Sequence, residues 1–121
     1  MTQPQSQTFQ LRVSNLLATA VRTDEGLVVL ANSEAASTIQ SSLSVGYRAV
    51  RERLISSGVL IENGGKLKFV RDQLFRSPSQ VAAIVVGYSI NGRDNWRTPN
   101  GVSFTDVENR LARNTYSPGN T

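Results

Sequence analysis

Residues 91–97, Asn-Gly-Arg-Asp-Asn-Trp-Arg, gather within seven positions the side chains best suited to holding a nucleic acid. Trp96, the only tryptophan, offers an indole face on which a base can stack, and Arg93 and Arg97 can reach phosphates or guanine edges. Asn91 has the amide geometry that reads adenine with two hydrogen bonds. The same residues admit a structural reading, in which Trp96 is a core aromatic and Asn91-Gly92 is a tight turn that demands a positive φ.

A second group, Lys66, Lys68, Arg71 and Arg76, forms a basic strip. Lys66 and Lys68 share a strand face by alternation, and the strip leads into Ser77, where free N–H groups at a helix start can neutralise a phosphate. The Ser77 hydroxyl is also able to satisfy those groups itself. Arg48, Arg51 and Arg53 are a third set, interrupted by Glu52 and spread over the polar side of a helix, where they keep it soluble.

For catalysis the chain is poorly equipped. It has no histidine and no cysteine, which removes the commonest general base, disulfides and thiolate metal sites. Asp72, Asp94, Asp106 and Glu108 are scattered without metal-ligand spacing, so neither a cofactor nor a metal is expected and the chain is read as non-enzymatic. The net charge of +4 is modest, but residues 1–45 carry a balance of −1 and the remainder +5. A positive C-terminal half attracts a polyanion by steering and counterion release. No apolar run approaches membrane-spanning length and residues 1–8 lack the features of a signal peptide, so no membrane association and a cytoplasmic location are expected.

The elements that must position these groups follow from periodicity. Phe9, Leu11 and Val13 alternate as in a half-buried strand, and the runs at 17–21 and 26–31 flank an Asp-Glu-Gly turn, which predicts a hairpin. Leu43, Tyr47, Val50 and Leu54 lie on one helical face, capped by Ser44 and closed by Gly58. Residues 59–61 and 67–70 flank Asn-Gly-Gly as a second hairpin, and a helix followed by a hairpin is also the shape of a winged DNA-binding unit. Ser77, Pro78 and Gln80 start a short apolar helix ended by Gly87; it must be buried on most sides. Ser103 caps a last helix bearing Phe104, Val107 and Leu111. With 121 residues, one α+β domain over 9–113 is expected: an N-terminal antiparallel sheet packed on a helix, then a compact C-terminal hairpin and two short helices, with disordered tails at 1–8 and 114–121.

The pattern S-P-S-x-x-A-A-x-x-x-G-x-S-x-N-G at 77–92, followed by Trp96 and Asn100-Gly101, resembles an uncharacterised bacterial domain family found alone or appended to GIY-YIG nucleases and restriction-modification proteins. It is also similar to the restriction-enzyme-adenine-methylase-associated (RAMA) domain. T-D-E-G-L-V-V-L at 23–30, Y-R-A-V-R-E-R-L-I-S-S-G-V-L at 47–60 and F-V-R-D-Q-L-F-R-S-P-S at 69–79 extend the resemblance over nearly the whole folded region. It implies an accessory role near DNA, with a separate nuclease or methylase supplying any chemistry. A protein-interaction or self-association domain is the alternative. Two places depart from the pattern: Arg93-Asp94 stand where an aromatic and a polar residue are usual, and Ala31-Asn32-Ser33 where Lys-Gly-Ser is common. If that lysine touches a phosphate in the relatives, the contact is missing here.

Overall fold

A computed structural model of the chain describes residues 7–115. Four strands, β1 (Thr8–Val13), β2 (Leu16–Thr23), β3 (Gly26–Val29) and β7 (Gln73–Phe75), form one antiparallel sheet in the order β1-β2-β3-β7. Three more, β4 (Glu34–Ala36), β5 (Leu60–Asn63) and β6 (Lys66–Phe69), form a second sheet in the order β4-β6-β5. The helices are α1 (Val45–Ser56), α2 (Pro78–Val86), the single turn α3 (Gly92–Asn95) and α4 (Phe104–Thr115). The α+β class expected from the sequence holds. Of the expected tails, Thr8 opens β1 and residues 114–115 continue α4; residues 1–6 and 116–121 lie outside the described residues.

The first hairpin turns through Asp24-Glu25, with Thr23 opposite Gly26 and the Glu25 amide donating to Thr23 Oγ1 at 3.1 Å. Gly26 sits at φ +146°, and a Cβ there would meet the Phe75 carbonyl oxygen at 2.1 Å, because β7 runs hard against this corner. Cross-strand partners share a face, so the inner face carries Phe9, Leu11, Ala18, Ala20, Leu27, Val29 and Phe75, all buried. The second hairpin turns at Gly64-Gly65 as expected, but β4 pairs along the other side of β6, so the hairpin belongs to a sheet and is not a free wing.

Helix α2 is the centre of the molecule. Pro78 and every residue from Val81 to Val86 are buried, and α2 packs on α1, α3, β3, β4 and β7. Such a helix cannot leave its ends to water, so its terminal groups must find protein partners. Ser77 Oγ accepts from the Gln80 amide at 3.1 Å, and Gly87, at φ +86°, turns back to donate to the Ala83 carbonyl at 2.8 Å.

Arg51 completes the arrangement and overturns its assignment to the solvent side of α1. It is 3% exposed, and its guanidinium donates to the Ile84 carbonyl in the last turn of α2 at 3.1 Å and to the Ala36 carbonyl at the end of β4 at 2.7 Å. Burial pulls its pKa below the ordinary guanidinium value, and the neighbouring Glu52 opposes that pull. The cation thus lies at the negative end of the α2 dipole and ties α1, α2 and β4 together. Arg48 is engaged as well, donating to the carbonyls of Leu43 and Ser41.

Replacing Arg51 leaves two carbonyls unpaired as well as a void, so Arg51→Ala is expected to lower unfolding free energy by about 2–4 kcal/mol. Arg51→Lys, which has one point donor in place of a planar fork, falls between the two in urea denaturation.

Candidate functional site

The segment at 91–97 is built by its own side chains. Asn91 Oδ1 accepts from the Asp94 amide at 3.1 Å, Asn91 Nδ2 donates to Asp94 Oδ2 at 3.1 Å, and the Asn91 carbonyl accepts from Asn95 Nδ2 at 2.8 Å. Asn91 is therefore the cap of α3, and the amide expected to read adenine is already spent on that turn. Gly92 follows with no positive φ; its reason is space, since a Cβ would lie 2.2 Å from the Pro78 carbonyl oxygen. The expected tight Asn-Gly turn is thus a helical turn pressed against the start of α2.

Trp96 is fully buried, and its Nε1 donates to the Pro78 carbonyl at 3.1 Å. The structural reading of this indole is correct and the base-stacking one is not. Arg97 is exposed, but its guanidinium donates to the carbonyls of Asp94 at 3.0 Å and Gly101 at 2.9 Å, while its backbone exchanges two hydrogen bonds with Gln10 on the edge of β1. Its side chain clamps the loop at 98–101 to α3, which engages part of the fork expected to contact nucleic acid.

Arg93 is different. It is exposed, and its guanidinium carbon lies 5.6 Å from the Phe104 ring centroid, a cation–π contact that steadies the side chain. Arg93 and Arg76 line one recess of about 230 Å³, together with Arg22, Asp24, Glu25 and Glu108. Arg22 is neutralised by Glu108, whereas Arg76 and Arg93 have no carboxylate partner among the described residues.

The basic strip does not run continuously. Lys66 and Lys68 do share the outer face of β6, but Lys66 turns away from the Arg76 recess and lines a separate cavity of about 370 Å³ with Asn15, Gly64, Gly65 and Tyr88. There its Nζ donates to the Asn15 carbonyl at 2.8 Å and to Glu34 Oε2 at 3.3 Å. Lys68 is half-buried and Arg71 exposed, each without an ion-pair partner among the described residues. Ser77, as the alternative expectation had it, satisfies the α2 start itself.

Glu34 was not singled out from the sequence and Ser33 was named only within the departure at 31–33, yet the two join the sheets. Beyond the end of β3, the amides of Leu17 and Thr19 on β2 face no strand; they donate to Glu34 Oε1 at 3.0 Å and Ser33 Oγ at 2.9 Å, and Ser33 Oγ donates back to the Thr19 carbonyl. The Leu17 amide is the main cause holding Glu34 below the usual carboxylate range; partial desolvation opposes it and Lys66 adds to it. Asn32, where the resemblance expects glycine, sits at φ +78°, a conformation asparagine tolerates better than most residues. Three of the four scattered carboxylates are similarly committed: Asp72 accepts from the Ala31 amide at 2.8 Å, and Asp94 and Glu108 are paired as described. Among the described residues, no three acidic side chains come together as metal ligands, and no helix is long and apolar enough to cross a membrane.

A family model described as a domain of unknown function (DUF4357) matches residues 9–108, almost the whole of the described fold. No curated protein and no solved structure matches the chain.

Two outcomes follow from this geometry. The emission of the single indole is expected to be blue-shifted in the native protein and to move red only with global unfolding; a native maximum at the position of free tryptophan would contradict the burial of Trp96. Because the folded pKa of Glu34 is depressed, its contribution is complete above the ordinary glutamate pKa and drains away as pH falls through the lower folded value. The stability gap between the parent and Glu34→Gln should therefore be flat near neutrality and close in acid, as read by denaturant titration at stepped pH.

Proposed function

The chain belongs to the DUF4357 family of unknown function, and on that premise we propose that it is a non-catalytic accessory module that holds nucleic acid by its phosphate backbone. One observation carries this reading: Arg76 and Arg93 converge on one recess, exposed and without carboxylate partners among the described residues. Other exposed arginines, Arg12, Arg53 and Arg71, are likewise free of ion pairs within the described fold. Guanidinium groups so disposed suit bidentate contact with phosphate oxygens. Asp24, Glu25 and Glu108 line the same recess and balance its charge, so the contact is made at the rim by the two arginine forks and not by a deep electropositive sink.

The same geometry argues against base reading. Asn91 and Trp96 are committed to the packing of α3 on α2, which leaves contacts that position a duplex but do not specify its sequence. The resemblance to domains appended to GIY-YIG nucleases and restriction-modification proteins, and to the RAMA domain, supports DNA as the polyanion, the cytoplasm as the location, and a nuclease or methylase as the partner that does the chemistry. The structural use of Asp72, Asp94 and Glu108 supports the absence of a reaction of its own.

Short duplexes, methylated and unmethylated, are expected to bind alike and with steep salt dependence. Arg76→Ala with Arg93→Ala should weaken binding and lower the salt slope by about 2, with the melting temperature monitored as a control. No binding at low ionic strength would sink the proposal; discrimination by methylation would show that bases are read.

A further inference from the structure

A second recess, of about 250 Å³, is lined by Gln10 and Arg12 of β1, Asn95 and Arg97 at the end of α3, and the turn leading to Gly101. Register explains why two arginines meet there. Gln10 and Arg12 take the outer face of β1, opposite the side that buries Phe9 and Leu11, and the bridge between Gln10 and Arg97 sets the Arg97 side chain on that same face. No carboxylate lines this recess, whereas Asp24, Glu25 and Glu108 line the one that holds Arg76 and Arg93.

Both guanidinium groups are held in place, and both keep N–H groups unspent. Arg97 uses Nε on the Asp94 carbonyl and Nη1 on the Gly101 carbonyl, which fixes its plane and leaves Nη2 without a partner among the described residues. Arg12 donates only through Nη2, to Gln10 Oε1 at 3.3 Å, so its Nε and Nη1 are without partners within the described fold. The Thr98 and Gly101 carbonyls, which would repel an anion, already accept from the Gly101 amide and from Arg97.

We propose that this recess is a phosphate site, separate from the one formed by Arg76 and Arg93. A carboxylate matches a single guanidinium fork, whereas a phosphate has oxygens enough to accept from two. With two cations and no anion in its lining, the recess holds a phosphate without the charge balance that confines contact at the other recess to its rim. That the phosphate belongs to a nucleic-acid backbone rests on the reading given above; a phosphate monoester, free or at a strand end, has the same chemistry.

Inorganic phosphate titrated into the full chain, with chloride at matched ionic strength as the reference, is followed through the arginine Nε–Hε resonances by heteronuclear NMR. Those of Arg12 and Arg97 should shift to saturation. Arg12→Gln, which removes one fork from an exposed position, should weaken the binding about tenfold, and Arg12→Lys should fall between the two. Absence of a saturable shift, or a shift indifferent to Arg12→Gln, overturns the proposal. So does acetate acting as strongly as phosphate, which would make the ligand a carboxylate. Duplexes with and without terminal phosphates separate the sources: for a backbone contact Arg12→Gln lowers the salt slope by about 1 with both, and for a terminal contact it weakens only the phosphorylated duplex. A parent that takes phosphate here but no duplex overturns the nucleic-acid reading and leaves this site standing. Duplex binding that depends on Arg76 and Arg93, with no phosphate response at Arg12, does the reverse.

Discussion

The burial of α2 is the constraint from which most of this structure follows. A helix of nine residues with almost no polar side chain is cheap to bury along its length and expensive at its ends, where backbone groups lose water. Each end is closed by a different device: a serine cap at the start, and at the finish a left-handed glycine and a buried arginine drawn from another helix. The surroundings crowd in accordingly. A Cβ on Gly87 would meet the Thr38 carbonyl oxygen at 2.5 Å, and one on Gly92 would run into Pro78, so both ends of α2 are held by backbone approaching closer than any side chain permits.

That crowding redistributes the residues that look functional. Asn91, Gly92 and Trp96 form the wall that closes the start of α2, and Arg97 ties that wall to β1. A family signature spread over 77–96 is in this light a packing signature. The groups left for a partner, Arg76 and Arg93, flank the wall, and the Phe104 ring that steadies Arg93 also packs against Phe9, tilted by 46° with centroids 5.0 Å apart, so the recess is anchored to the core of the main sheet.

Punctuation made much of the fold legible in the sequence. Ser44 and Gly58 bracket α1, Ser77 and Gly87 bracket α2, and Gly64-Gly65 turns the second hairpin, each because the local backbone demands that residue type. Strands β4 and β7 were not legible: Glu-Ala-Ala and Gln-Leu-Phe have little strand preference of their own and extend because β6 and β3 offer partners. Arg51 carried a signal that its charge obscured, since it falls four residues after Tyr47 and three before Leu54, within the apolar stripe of α1. Gly92 was misread because close approach and positive φ leave the same letter in a sequence. Of the candidate site, the residue types were visible, but the register that separates Lys66 from Arg76 and sets Arg97 beside Gln10 depends on pairings far apart in the chain.

The seam between the two sheets has a property of a different kind. Elsewhere strands are joined by main-chain bonds, which every residue except proline supplies whatever its side chain. Beside Leu17 and Thr19, one serine hydroxyl and one carboxylate take over that task. A single base change in the gene can therefore remove either tie while leaving the polypeptide backbone intact, and what then remains beside it is the main-chain bond from the Leu30 amide to the Thr19 carbonyl at 2.9 Å.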